Sequence, residues 1–179
     1  MRSKITDYPA LELHEEKILI VVKTYPRPSA KYRELVCTAG ITEKGRWVRL
    51  YPINYRYLDY QNWYKKYQWI KVKIEKTELK KDFRIDSYRP TENSIQALGK
   101  SIGTQNGWLE RKKIIIPTIQ FRSLEEIEDR YQSNKVSLGI FKPKEITKFI
   151  VEPDTANWSN KHQDILSQLR LFETQPKFL

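Results

Sequence analysis

A chain of 179 residues with 39% hydrophobic and 31% charged residues is one domain of ordinary size or two small ones packed together, and its 22 aromatic rings can fill a core. The lone Cys37 excludes an internal disulfide, and one Cys with two His (His14, His162) cannot supply the usual four ligands of a zinc site. The longest apolar run, residues 18–22, falls far short of the roughly 20 residues that cross a bilayer, and no basic start followed by an apolar stretch marks a secretion signal, so the expectation is a soluble, cytoplasmic protein.

In chain order, residues 1–16 are polar and acidic, a tail or a peripheral strand. Residues 17–25 contain the unbroken apolar run and stop at Pro26, which reads as a strand buried on both faces. Residues 25–29, with Pro26 and Pro28, form a stiff loop, because proline fixes φ and has no N–H for a ladder. Residues 35–41 and 46–51 flank the turn Glu43-Lys44-Gly45 and predict a β-hairpin. On its second strand Val48 and Leu50 face one side, Trp47, Arg49 and Tyr51 the other, and Pro52 is expected to end it. Residues 59–68 place Tyr60, Trp63, Tyr64 and Tyr67 at helical spacing behind Asp59, a short helix. Residues 69–75 alternate again, with Ile70, Val72 and Ile74 inward and Trp69, Lys71 and Lys73 outward. Residues 82–89 read as a further strand closed by Pro90.

Beyond Pro90, residues 91–101 have weak helical signals and residues 103–107 read as a loop. Ile114, Ile115 and Ile116 read as a short buried strand before Pro117. Ser123 and Glu126 have capping-box spacing, so a helix is expected over residues 123–131. Residues 136–141 and 147–151 read as strands, and residues 164–172 as a helix. The fold class is α+β and β-rich: an OB-like small barrel over residues 17–90, with residues 91–179 a second β-rich region with two or three short helices packed on it. The chain ends without a stop signal, which suggests a piece of a longer protein.

The charge is uneven. Residues 17–90 hold 18 Lys and Arg against seven Asp and Glu, which is the whole surplus of +11; residues 1–16 sum to −2 and residues 91–179 to +2. Solubility does not require such concentration. Cations interleaved with flat rings suit a polyanion that carries bases, since cations neutralise phosphates and rings stack on bases. A membrane-surface helix is disfavoured because the basic region reads as strands. That leaves RNA or DNA, or an acidic protein such as a larger effector, as partner.

Four constellations carry the chemistry. Trp47, Arg49 and Tyr51, about 7 Å apart along one strand face, can engage successive nucleotides, or can instead pack under a neighbouring element with Arg49 paired to an acid. Lys71 and Lys73, beside Trp69, repeat the pattern. Lys23, Tyr25, Arg27 and Lys31 on the proline-stiffened loop resemble a phosphate clamp, or an ordinary solvated loop. Eight of the 19 residues from Tyr51 to Trp69 are aromatic, mostly core, and Arg56 is the one contact residue expected there; Arg46 borders the hairpin turn. Arg84 and Arg89 are phosphate contacts, while Asp82 and Asp86, about 13 Å apart on an extended strand, cannot share a metal unless the chain bends or Asp59 joins them. Cys37 lacks a nearby base for nucleophilic work, and six glycines make a phosphate-cradling loop improbable. No cofactor is called for.

The strings Lys23-Thr-Tyr-Pro-Arg-Pro-Ser29, Cys37-Thr-Ala-Gly40, Trp47-Val-Arg-Leu-Tyr-Pro52 and Asp82-Phe-Arg-Ile-Asp-Ser-Tyr-Arg-Pro90 together resemble the dual-OB-containing domain family of prokaryotic defence and restriction loci, and Ser137-Leu-Gly-Ile-Phe-Lys-Pro143 extends the likeness. The resemblance implies two packed barrels and a nucleic-acid-sensing or guiding role beside an effector enzyme. It brings no catalytic residues. Three readings follow: a binding module without catalysis, a metal-dependent nucleic-acid-processing enzyme, or an adaptor docking on an acidic protein. The first leads.

Overall fold

The alternation along two strands decides the architecture. Val48, Leu50, Ile70, Val72 and Ile74 are fully buried, while their outward neighbours stay partly or wholly exposed, so both strands present one face to a shared core. The computed structural model describes residues 13–25, 27–29, 33–55, 58–76, 82–91, 93–153, 160, 163–165 and 167.

Five strands form a ring: β1 (His14–Lys23), β3 (Arg33–Thr42), β4 (Trp47–Ile53), β6 (Ser87–Pro90) and β5 (Trp69–Lys76), with β5 returning to pair with β1. All pairings are antiparallel except β4 with β6, and this closed order is that of an OB-like barrel. Two short strands are added at the margins. β2 (Arg27–Ser29) pairs with the start of β3, and β7 (Gln96–Leu98) pairs with β5 at Trp69–Lys71. Ile18, Ile20, Val48, Leu50, Ile53, Tyr64, Ile70, Val72, Ile74, Tyr88 and Ile95 fill the interior. Gly40 is required where β1 meets β3, because a Cβ there would run into the Leu19 carbonyl oxygen and lie 2.6 Å from Ile18 Cγ2.

The expected strand of residues 17–25 is buried on both faces only at Ile18, Leu19 and Ile20; Val22 is exposed. The strand expected to end at Pro52 continues to Ile53, which pairs with Val36, and the Tyr51–Pro52 peptide is cis. The expected helix of residues 59–68 is a single 3-10 turn, Tyr60–Asn62, because its rings pack on one another (Tyr55–Tyr64 5.1 Å, Tyr60–Trp63 5.4 Å between centroids) rather than down one helix face. The strand expected over residues 82–89 starts only at Ser87; residues 82–84 are irregular and lead into a turn at 85–86.

The C-terminal half departs further from expectation. Among the described residues there is one barrel, and no second sheet accompanies it. Residues 91–101 yield β7 instead of a helix, since Trp69, Ile70 and Lys71 offer an unpaired edge. The loop expected at residues 103–107 is matched by a non-helical start, with Asn106, Gly107 and Trp108 off the helical backbone inside α1 (Gln105–Ile115), whereas the strand expected at Ile114–Ile116 is instead the end of α1 and the 3-10 turn Ile116–Thr118. α2 (Leu124–Asn134) matches the capping expectation: Ser123 Oγ accepts from the Glu126 amide, although Glu126 Oε2 accepts in turn from the Arg122 amide rather than from Ser123. The strands expected at 136–141 and 147–151 are irregular chain, with one bridge between Phe121 and Phe141. Of the expected 164–172 helix, residues 164, 165 and 167 are described and are helical.

Candidate nucleic-acid interface

Outward from the barrel is not outward from the molecule. The Trp47–Arg49–Tyr51 face is the clearest instance, since its polar groups meet partners within the molecule. Arg49 Nη1 donates to Asp82 Oδ2 (2.9 Å) and Ser87 Oγ (3.1 Å), and Arg49 Nε donates to Cys37 Sγ (3.2 Å). Its side chain is 14% exposed and its guanidinium lies 4.6 Å from the Tyr51 ring centroid. Trp47 Nε1 donates to Thr118 Oγ1 (3.1 Å), so the indole is a docking point for the segment after α1. Arg49 and Trp47 therefore hold the molecule together, the alternative weighed for them at the outset.

The acids behind them are equally engaged. Asp82 accepts from Ser87 Oγ (2.6 Å), the Arg84 amide (3.2 Å) and Arg49. Burial pushes its carboxyl up, but the Ser87 hydroxyl, the Arg84 amide and the charges of Arg84 and Arg49 outweigh that and hold it below the usual range. Asp86, 1% exposed, accepts from the amides of Ser137 and Leu138 and from Ser137 Oγ, each at 2.7 Å. Lys76 Nζ donates to the carbonyls of Arg84, Ile85 and Ser87 (2.7, 2.7 and 3.0 Å) and pins the same turn; burial lowers its pKa, against the opposing pull of Asp86 and Asp82. Among the described residues no three His, Cys, Asp or Glu gather as metal ligands, so Asp82, Asp86 and Asp59 do not form the carboxylate cluster that a metal-dependent enzyme would need.

Lys23 is also a structural residue. Its ammonium sits 3.7 Å from the Tyr55 ring centroid and donates to the Tyr64 carbonyl (3.3 Å), and burial, with the charge of Lys66, lowers its pKa. Tyr64, whose hydroxyl pairs with Thr38 Oγ1 (2.9 Å), has its pKa raised by burial.

The remaining expected contacts lie on two surfaces. Lys71, Lys73 and Arg89 project from the outer face of β5 and β6; Lys73 and Arg89 are exposed, and Lys71 pairs with Glu15 (2.9 Å). Arg84 lies nearer the turn, 3.8 Å from Asp82 and over Phe83, and Arg46 is half-buried after Gly45. Tyr25, 74% exposed, stands past the end of β1. Arg27 opens β2, but its side chain, like the whole of Lys31 and Arg56, lies outside what is described.

The second surface, at the Tyr25 end of the barrel, contains residues that sequence reasoning missed. The chain from Tyr55 to Gln68 returns there, since the Ile20 amide donates to the Gln68 carbonyl and the Tyr67 amide to the Ile20 carbonyl. It presents Tyr60, 72% exposed, and exposed Lys65 and Lys66. The Ile102 amide donates to the Tyr67 carbonyl and Gln68 Nε2 to the Gly99 carbonyl, which brings exposed Lys100 and the start of α1 to the same end. Trp108, 53% exposed, stands on that start. The dipeptide Asn106-Gly107, a turn signal, marks the place in the sequence. No helix among the described residues is long and apolar enough to cross a membrane.

Against known proteins, a family model described as "Domain of unknown function (DUF8758)" matches residues 14–117. This chain belongs to that family. The match begins at β1 and runs past the barrel to the turn after α1, so the family domain includes the α1 segment and not only the five strands. Comparison with the curated proteins and with the solved structures finds no match.

Proposed function

We propose that this protein is a nucleic-acid-binding module, engaging single-stranded RNA or DNA without catalysis. One observation carries the reading: exposed rings (Tyr25, Tyr60) and exposed cations (Lys65, Lys66, Lys100) share one end of an OB-like barrel in a chain of net charge +11. Rings offer any base a π-face, and ammonium groups neutralise the phosphates between them. Lys73 and Arg89 extend the positive surface along β5 and β6. The resemblance to defence-associated domains extends the proposal to an accessory or sensor component of a prokaryotic defence system.

The test is fluorescence anisotropy with labelled single-stranded DNA, duplex DNA and single-stranded RNA over a salt series. Binding is expected to weaken steeply with salt, and Lys65→Ala or Lys66→Ala to lower the salt slope by about one each. Absence of binding to all three at low salt sinks the proposal. Function then moves to an adaptor role on an acidic protein, with the same exposed cations as the docking surface in a chain of net charge +11.

A further inference from the structure

α1 does not begin as a helix. Asn106 (φ 51°, ψ 45°), Gly107 (62°, 39°) and Trp108 (69°, 26°) adopt the left-handed conformation in succession, and the regular helix starts after them. Asn and Gly accept that backbone cheaply; Trp does not. Trp108 is neither hidden nor packed into a core in return for the strain. It is 53% exposed, and the following Leu109 is 44% exposed. A bulky ring held outward on an unfavourable backbone is the kind of local strain that accompanies a binding role.

What surrounds the ring gives the ligand class. The Arg111 guanidinium lies 5.6 Å from the Trp108 ring centroid and stacks 3.7 Å from that of Tyr67. Arg111 Nε and Nη2 both donate to the Ile102 carbonyl (2.9 and 2.7 Å), so the cation is fixed in place before any ligand arrives. Exposed Lys66 precedes Tyr67, and exposed Lys112 follows Arg111. A flat exposed indole beside an immobilised guanidinium, with exposed lysines adjoining Tyr67 and Arg111 in the chain, matches a nucleotide: a base to stack and a phosphate to neutralise.

We propose that Trp108 is a base-stacking residue for single-stranded nucleic acid and that Arg111, seated on Tyr67, meets the adjoining phosphate. This rests on the nucleic-acid reading above and adds a site outside the five barrel strands, within the α1 segment that the family match includes.

The experiment is anisotropy of a labelled oligothymidylate with the wild-type chain, Trp108→Ala and Trp108→Gly, alongside thermal melts of all three. W108A is expected to bind roughly tenfold more weakly, the scale of one lost base–aromatic stack. W108G suits the left-handed backbone, so it should melt no earlier than the wild type yet bind no better than W108A. Quenching of tryptophan emission by the oligonucleotide should be smaller in Trp108→Phe than in the wild type. Wild-type binding with undiminished affinity in W108A and W108G overturns the site and leaves the nucleic-acid reading intact. Absence of wild-type binding at low salt overturns both.

Discussion

The barrel and the region after it are held by different forces. Between Ile18 and Tyr88, Ile18, Ile20, Val48, Leu50, Tyr64, Ile70, Val72, Ile74 and Tyr88 are completely buried. In α1 and α2 no residue is buried, and Thr118, Phe121 and Val136 are the buried side chains described beyond residue 100. Polar contacts attach this region (Trp47 to Thr118, the Ile85 amide to the Lys135 carbonyl, and Asp86 to Ser137 and Leu138), beside the ring contacts Phe83–Tyr131 and Arg111–Tyr67. Apolar burial makes the barrel, and directed hydrogen bonds together with two ring contacts dock the rest onto it. The first is tolerant of sequence and the second is specific to particular atoms.

Substitutions should separate the two. Leu50→Ala, which empties a fully buried position, is expected to cost about 2–5 kcal/mol in urea unfolding, whereas Leu124→Ala at the exposed start of α2 should stay within about 0.5 kcal/mol. Comparable losses at the two positions would break the contrast. Asp86→Ala leaves three donors without their acceptor and should cost about 2–3 kcal/mol. Limited proteolysis of that variant should cut residues 135–153 faster while the barrel survives; equal protection of both regions would show that Asp86 does not dock the segment.

The smallest effect concerns pH. The Asp82 carboxyl is held below its ordinary value in the folded chain, so its contribution to stability is complete above the unfolded value of 3.8 and is lost as pH falls through the lower folded value. Asp82→Asn should therefore flatten the acid end of a stability profile taken from pH 7 to about pH 3, relative to the wild type. An unchanged acid slope would remove Asp82 from the account.

The barrel was largely legible in the sequence because period-two patterns leave little choice. Val48/Leu50 and Ile70/Val72/Ile74 specify which face is buried, and the element order led to the OB-like barrel that the closed ring bears out. The second half was not legible, for physical reasons. Three isoleucines at 114–116 have no measurable period, and became the end of a helix and a 3-10 turn. Gln96–Leu98 became a strand only because β5 offered an open edge. At the candidate site, Arg49 and Trp47 were visible as outward residues, but what lies over them depends on Asp82 and Thr118, 33 and 71 positions away. Trp108 was passed over because no periodic pattern contains it.

β1 joins both sides of the ring. Its first half pairs with β5 and its second half with β3, and at Ile18 and Leu19 it pairs with both at once, Ile18 with Thr42 and Ile70, Leu19 with Ile41 and Trp69. To unzip either seam, the chain must disturb the same few peptide units. Amide hydrogens at Ile18 and Leu19 should thus exchange with solvent only when the whole barrel opens, at the slowest rate in the molecule, while those of residues 142–153 exchange almost as in a peptide. Along β1, neither seam can part without loosening the other.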